Sequence, residues 1–479
     1  MTPTDYLFRI IHSLTPAEKR YFKIFASRHV IGTKNNYERL FDEYEKLDAL
    51  QPYDEAAFKA SLKGKSWLKN FAVEKKLLED AVLRAMRSFH SEKTEEGKLA
   101  DALADIEFLF NKGVTESATR LLQKAFEMAY AIENLPALVT LFDWKLRLTR
   151  ITQTIKEVDE ANADFEEEKR VLRMLELERN ISHTRRTIYN LYISGKLSSQ
   201  LPKFRQQLEA FNSGGVDLTV YSKFSLTVST AIVEECSGNY NGALASYEQV
   251  IDLFATQAEK LSRVANHYRT LLSNYLACAH YAERFDLFLP VLKKIQAIKA
   301  DSLAEQLRIL MTLWQYNLLY HLNVAGSDHS MALVREIETG LKKYKALIPF
   351  RNHVNFRFNI CLLHLRKGNY TELLKSIAEL YDVVGRDKTM NTILRDLKIM
   401  ELMAHFSLDN FDVADYQVKN LERWLRENKL SNDFLAAVLK LFKANLTAGK
   451  MVKANGQLAE TNCPPDLVAM KELIVDWSN

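Results

Sequence analysis

The sequence predicts an all-α fold, and three observations lead to that prediction. Apolar residues recur at spacings of three and four along nearly the whole chain of 479 residues, as they do on one face of an α-helix. Glycine and proline, with 15 and 9 residues, make up about 5% of the chain, against roughly 12% in an average protein. Alternating apolar and polar runs, which indicate strands, are missing. We therefore expect helices from one end of the chain to the other.

Capping and breaking residues mark where the helices begin and end. The run from Thr15 to Glu18 combines a Thr N-cap, a proline at the first helical position and a glutamate three residues after the cap, which together form a capping box. Pro136, Pro349 and the pair Pro464-Pro465 stand where helices would begin. The pair Gly214-Gly215 predicts a break between two helices.

One motif recurs along the chain and indicates helical repeats. Each of its four strong copies begins with a turn residue, has an aromatic residue two positions later, and carries apolar or small residues five, nine and twelve positions later. The copies begin at Gly238, Glu283, Gly368 and Asp409, with weaker copies at Gly113, Gly195, Gly326 and Gly449. We call these eight residues the anchors. They lie 40 to 45 residues apart except for a first interval of 82, so a further degenerate unit is expected over 136–180.

This pattern resembles the second helix of tetratricopeptide repeats. The resemblance implies a right-handed α-solenoid of tetratricopeptide-like helical hairpins over residues 96–462, in which neighbouring hairpins stack because no single hairpin covers its own apolar face. A helical region, 1–95, precedes the repeats, and a capping helix in 463–479 follows them. The period exceeds the 34 residues of the family, which predicts longer helices. The Trp/Leu/Gly signature of the first helix is missing, since Thr227, Thr230 and Ala231 stand there.

The resemblance also implies a binding groove, because the first helix of each tetratricopeptide unit lines the concave surface on which peptides bind. Polar residues stand at those positions: Arg186, Ser229, Asn274, Asn317, Asn355, Asn359 and Arg366. An Asn amide both donates and accepts hydrogen bonds, so it can hold an extended backbone, and a guanidinium can orient an acidic group. A concave face exposed to water is polar with or without a ligand, so both interpretations stay open.

Composition and charge exclude several classes of function. The 65 Lys and Arg against 61 Asp and Glu give a net charge of +4, too small for a dedicated nucleic-acid binder. The four cysteines form no CxxC pair and are expected as free thiols in a reducing compartment. The N-terminus does not resemble a signal peptide, and polar residues interrupt the most apolar stretch, 307–324. We therefore expect a cytoplasmic protein that does not enter a membrane.

Motifs that would carry chemistry are incomplete. Residues 63–66 contain the GKS triplet of a phosphate loop, but Lys59 replaces its first glycine. No HExxH or GxSxG motif occurs, and four histidines beside apolar residues are expected to be packing residues: His280, His321, His364 and His405. We accordingly expect no catalytic residues, no metal and no cofactor.

Six lysines between residues 59 and 76, interleaved with Trp67 and Phe71, allow two interpretations. They form either a phosphate-contacting surface with stacking aromatics or a solvated helix face whose aromatics point into the core.

The preferred functional hypothesis is a non-enzymatic scaffold or adaptor that binds a peptide or partner protein in the concave groove. The alternative is a peptide-responsive transcriptional regulator in which residues 1–95 contact DNA. An enzyme assembled from distant residues is a third possibility, and it would show itself by a metal or cofactor in the purified protein.

Overall fold

The computed structural model describes residues 5–28, 35–152, 158–300, 302–324, 330–385, 388–450, 458, 461 and 463–478. Within these ranges every regular element is a helix, and no strand occurs. The prediction of an all-α protein is therefore confirmed. The chain divides into two compact units, which we call unit 1 (Met1–Leu310) and unit 2 (Met311–Asn479).

The first five α-helices of unit 1 build an aromatic core. They are α1 (Tyr6–Ser13), α2 (Pro16–Ser27), α3 (Asn36–Glu45), α4 (Glu55–Ser61) and α5 (Phe71–Ser91), with a 3-10 helix at Ser66–Asn70. The predicted capping box begins α2: the Glu18 amide donates to the Thr15 hydroxyl at 3.2 Å, and the Thr15 amide donates to the Glu18 carboxylate at 2.7 Å. Trp67 and Phe71 are 4% and 6% exposed, so the core interpretation of these two rings is correct.

Helix α5 packs against α2 and α3. Its Leu78 and Val82 are buried in the core that α1–α5 build, whereas Leu77 is exposed. Helix α5 also contacts the following helix, α6.

The rest of unit 1 is a succession of helices that pack against their neighbours in sequence. They are α6 (Glu95–Asn111), α7 (Thr115–Ala131), α8 (Leu135–Thr152), α9 (Val158–Ile193), α10 (Leu201–Ser213), α11 (Val220–Cys236), α12 (Tyr240–Thr256), α13 (Tyr268–Tyr281) and α14 (Phe288–Gln296). Three 3-10 helices lie between them, at Ser198–Gln200, Glu259–His267 and Phe285–Leu287. Helix α15 (Leu303–Asn323) contains the boundary between the two units.

Unit 2 continues the same pattern of sequential packing. Its helices are α16 (Ser330–Lys343), α17 (Phe350–Arg366), α18 (Tyr370–Val384), α19 (Asn391–Ser407), α20 (Phe411–Glu427), α21 (Asp433–Ala448) and α22 (Val468–Ser478), with 3-10 helices at Lys388–Met390 and Pro465–Leu467. The terminal helix that the sequence predicts after Pro464-Pro465 is α22, which contacts α19.

The anchors share one backbone conformation. The seven that the structure describes all have positive φ, between 55° and 79°, and Gly326 lies outside the described residues. At six of them the next amide donates to the carbonyl five residues back, at 2.8 to 3.0 Å, as in a Schellman motif. Each such bond closes the end of a helix, so the repeated residues of the sequence correspond to a repeated turn.

The packing positions of the motif are buried in every strong copy. The small residues Ala243 and Ala414, and Ala118 in the weaker copy at Gly113, are 0% exposed. The residues nine and twelve positions after the four strong anchors are all buried: Tyr247, Leu292, Ile377, Val418, Val250, Ile295, Leu380 and Leu421. In the four strong copies, the positions nine and twelve residues after the anchor are therefore packing positions, as the sequence predicts.

Within the described ranges, no helix combines the length and the apolar character needed to cross a bilayer. All four cysteines are free; Cys278 and Cys361 are buried, whereas Cys236 and Cys463 are half-buried.

Candidate functional site

Helices α9 and α11 precede the successive anchors Gly195 and Gly238, so each is the first helix of a repeat. They lie side by side and run parallel. Three side-chain hydrogen bonds join them in the same order along both helices. They connect Thr219, the N-cap of α11, to Glu178 at 3.0 Å, Arg185 to Ser225 at 3.3 Å, and Tyr192 to Glu235 at 2.5 Å. The partners are separated by 40 to 43 residues, close to the 43 residues between the anchors Gly195 and Gly238. We call the interface that these contacts form the α9–α11 face.

Unit 1 contains three of the predicted groove residues, and they occupy different environments. Arg186 is exposed on α9. Ser229 on α11 is 0% exposed, and its hydroxyl donates to the Ser225 carbonyl at 2.7 Å, so it is used within its own helix. Asn274 on α13 is half-buried and its amide interacts with the Tyr247 hydroxyl.

Unit 2 contains the other four. Asn317 on α15 is half-buried and donates to the Leu313 carbonyl of its own helix at 2.8 Å. Asn355 and Asn359 lie four residues apart on α17 and therefore share one helix face, with Asn355 exposed and Asn359 half-buried. Arg366 ends α17, donates to the Leu322 carbonyl, and lines a surface cavity of about 690 Å³.

Tyrosines surround Glu235 at one end of the α9–α11 face. The Tyr192 hydroxyl donates to its carboxylate at 2.5 Å and the Tyr247 hydroxyl at 3.5 Å. Burial, followed by the hydrogen bond to Glu235, raises the pKa of Tyr192, and burial also raises the pKa of the Cys278 thiol, which faces the same carboxylate. Through Tyr247, Asn274 belongs to this polar cluster.

Arg185 lies on the α9–α11 face next to the predicted Arg186, and sequence reasoning missed it. Its guanidinium lies 5.1 Å from the centre of the Phe224 ring and donates to the Ser225 hydroxyl. Burial lowers the pKa of Arg185. The pKa of His267 is lowered by burial and then by the charge of Arg185, which places the two side chains in one neighbourhood.

The spacing along α9 contained the signal that identifies Arg185. The residues at 178, 181, 185, 188 and 192 follow one another at intervals of three and four, which is the spacing of a single helix face. Ile181 and Ile188 of this series are 1% and 0% exposed. Arg185 is therefore the cation in a series of packing positions, whereas Arg186 lies outside it.

Two carboxylates at the N-terminus of α11 are bound to other groups. Glu178 is 2% exposed; it accepts from Thr219, and Arg263 Nη2 lies 3.0 Å from its Oε1. Glu133 accepts from Lys260 at 2.8 Å and from the amide of Val220 at 2.6 Å. Among the residues whose placement is known, no carboxylate forms an ion pair with Arg185.

A second concave surface lies among α7, α8 and α9. It is a cavity of about 540 Å³ with an apolar wall and a polar rim. The wall consists of Leu122, Phe126, Phe142 and Leu148. On the rim, Lys145 bonds Asp164 at 2.6 Å and Tyr130 donates to Glu167 at 2.9 Å. These rim groups satisfy one another, in contrast to Arg185.

Comparison of the chain with family models, curated proteins and solved structures finds no match. The resemblance to tetratricopeptide repeats therefore rests on the repeated residues and turns themselves. In the part of the chain that is described, no three His, Cys, Asp or Glu side chains are grouped so that they could hold a metal ion.

Proposed function

We propose that this protein is a non-enzymatic scaffold or adaptor that binds an extended peptide segment of a partner protein across its first helices. The observation that carries the proposal is the parallel pairing of α9 and α11 at the anchor spacing. This pairing brings the first helices of two successive repeats next to each other in the same direction. A ligand that crosses one first helix therefore meets the first helix of the next repeat.

The proposal includes a tetratricopeptide-like stacking of the hairpins, with a right-handed turn, and a cytoplasmic location suited to four free thiols. In unit 1, Arg186 and Asn274 supply polar groups for the peptide, while Ser229 contributes to packing alone. In unit 2, Asn355 and Asn359 form an equivalent pair on one face of α17.

The test compares Asn274→Ala and Asn359→Ala with Asn241→Ala, an exposed position on the second helix α12. A partner is captured from native lysate with the wild-type chain, identified, and titrated calorimetrically against each variant. We expect the first two variants to weaken binding by about 1–3 kcal/mol, because each removes hydrogen bonds made in a desolvated groove. We expect no change for Asn241→Ala. Unchanged affinity in both groove variants would overturn the proposal.

The alternative, DNA contact by residues 1–95, has less support. The two aromatic rings of the lysine-rich segment are buried, so they cannot stack on bases. Lys59 and Lys75 lie 2.9 and 2.7 Å from Glu55, which reduces the charge they offer to phosphates. The test measures the affinity of the chain for DNA at several salt concentrations. We expect a slope of log affinity against log salt near zero, whereas a steep slope would favour the transcriptional regulator.

A further inference from the structure

Arg185 has more hydrogen-bonding capacity than its surroundings use. A guanidinium carries five N–H donors, and the contact with Ser225, at 3.3 Å, is long for an N–H···O bond. Phe224 covers one part of the cation and offers no acceptor. The remaining donors of Arg185 are not among the buried polar atoms that lack a partner, so they are open to water and to a ligand.

A largely buried cation without a counter-ion is unfavourable, because it loses hydration and gains no ion pair in return. The neighbouring charged side chains do not supply Arg185 with a counter-ion. Arg263, which lies 3.6 Å from the centre of the Tyr221 ring, is neutralised by Glu178. His267 is a neighbour that becomes cationic when protonated, so it adds no negative charge. Among the residues that the structure describes, Arg185 is therefore the one cation of this neighbourhood without a carboxylate partner.

We propose that Arg185 is an oxyanion receptor on the α9–α11 face and binds a carboxylate of the peptide ligand. The single uncompensated charge matches a monovalent carboxylate better than a phosphate dianion, and the planar fork of a guanidinium fits two carboxylate oxygens. The Ser225 hydroxyl accepts a hydrogen bond from the guanidinium, and the Phe224 ring packs against it. The assignment of the carboxylate to a peptide rests on the proposed function, whereas the receptor itself does not.

The first test uses small oxyanions and the full chain. Thermal unfolding is measured at pH 7 and constant ionic strength in sodium chloride, sodium acetate and sodium phosphate. Arg185→Gln is compared with Arg186→Gln, which removes the same charge one residue away. We expect acetate to raise the melting temperature of the wild type and of Arg186→Gln by about 1–2 °C more than that of Arg185→Gln. Equal shifts in all three proteins would overturn the receptor.

The phosphate arm distinguishes the two sources of an oxyanion. A larger shift in phosphate than in acetate that disappears in Arg185→Gln would overturn the choice of a carboxylate. Arg185→Lys keeps the charge and loses the planar fork, so we expect it to retain less than half of the acetate shift. This variant also keeps the test decisive if Arg185→Gln does not fold.

The second test measures the pKa of His267 by NMR of the full chain with labelled histidine, with the signal assigned by its loss in His267→Gln. Because the charge of Arg185 lowers this pKa, Arg185→Gln should raise it, and so should acetate in the wild type. An unchanged pKa in Arg185→Gln would show that the two side chains are not neighbours. Neither test needs a peptide, so their failure is separate from a failure of the Asn274 and Asn359 variants.

Discussion

Arg185 in α9 is half-buried and Arg395 in α19 is buried, and their surroundings differ. Arg395 is 2% exposed, and it donates to Asp396 at 2.8 Å and to Asp466 at 2.7 Å. Burial lowers the pKa of Arg395, but the two carboxylates outweigh burial and the net shift is upward. At Arg185 burial acts without a carboxylate, and the pKa falls. The same side chain thus stabilises unit 2 in one place and leaves an open binding group on unit 1 in the other.

The largest effect should come from Arg395→Met. This change leaves Asp396 and Asp466 without their cation, and we expect it to lower the free energy of unfolding by about 3–5 kcal/mol. Arg185→Met should change stability by less than about 1 kcal/mol, or raise it, since it removes an unpaired charge. Urea denaturation followed by fluorescence measures both. Equal losses in the two variants would show that Arg185 has a structural partner after all.

The comparison extends from charge to packing, where the two units should behave alike. Ala243 on α12 and Ala414 on α20 stand at the same position of the motif and are 0% exposed. We expect Ala243→Leu and Ala414→Leu each to cost about 1–3 kcal/mol through overpacking. Ala255→Leu, at an exposed position of α12, is the control and should cost less than about 0.5 kcal/mol. A loss confined to one unit would mean that the motif packs differently in the other.

Buried histidines give a pH-dependent version of the comparison. Burial lowers the pKa of His280 in unit 1 and of His364 in unit 2, and neither ring has a hydrogen-bond partner for its buried Nδ1 within the described residues. Because the pKa is lower in the folded protein, the unfolded chain binds more protons than the folded chain below pH 6.5. The free energy of unfolding is therefore retained above pH 6.5 and falls as the pH drops below it. We expect His364→Gln to reduce that loss by up to about 1.4 kcal/mol per pH unit, measured by urea denaturation between pH 7.5 and 5.

The smallest effect concerns the anchors that are not glycine. Glu283 is exposed and has a φ of 56°, a conformation that costs a side chain roughly 1–2 kcal/mol. We expect Glu283→Gly to raise the melting temperature, with a gain of about 0.5–1 kcal/mol after the greater chain entropy of glycine is subtracted. Gly238→Ala, at the equivalent turn, is the converse control and should be destabilising. A loss of stability in Glu283→Gly, or a gain in Gly238→Ala, would contradict the shared turn.

Local chemistry explains which parts of the fold could be predicted from the sequence. A left-handed turn favours glycine, and a helix that follows it buries residues at fixed spacings, so the anchors and positions such as Ala243 were visible in the sequence. The aromatic core of α1–α5 joins residues such as Phe22 and Phe41, whose rings lie 4.4 Å apart, from different helices without a repeated pattern. That packing could not be inferred from neighbouring residues alone.

The candidate site was predictable only in part, because a residue's type does not fix where its hydrogen bonds go. Ser229 and Asn317 have polar side chains, but both donate to a carbonyl four residues back in their own helix. Arg185 was overlooked because Arg186 stood at the aligned groove position. Helix α11 covers the face of α9 on which Arg185 lies. The hydrogen-bond partners of this face are 40 or more residues away in the sequence, so only the folded structure identifies them.

Helix α9 has 36 residues and is therefore about 54 Å long, whereas the 17 residues of α11 span about 26 Å. Its first part packs against α8, and its later part packs against α11. One continuous helix thus belongs to two packing layers, one with α8 and one with α11. Mechanical tension applied to one layer is transmitted to the other along the axis of α9. Pulling unit 1 from Asn111 and Cys236 in an optical trap should consequently break both packing layers in one rupture.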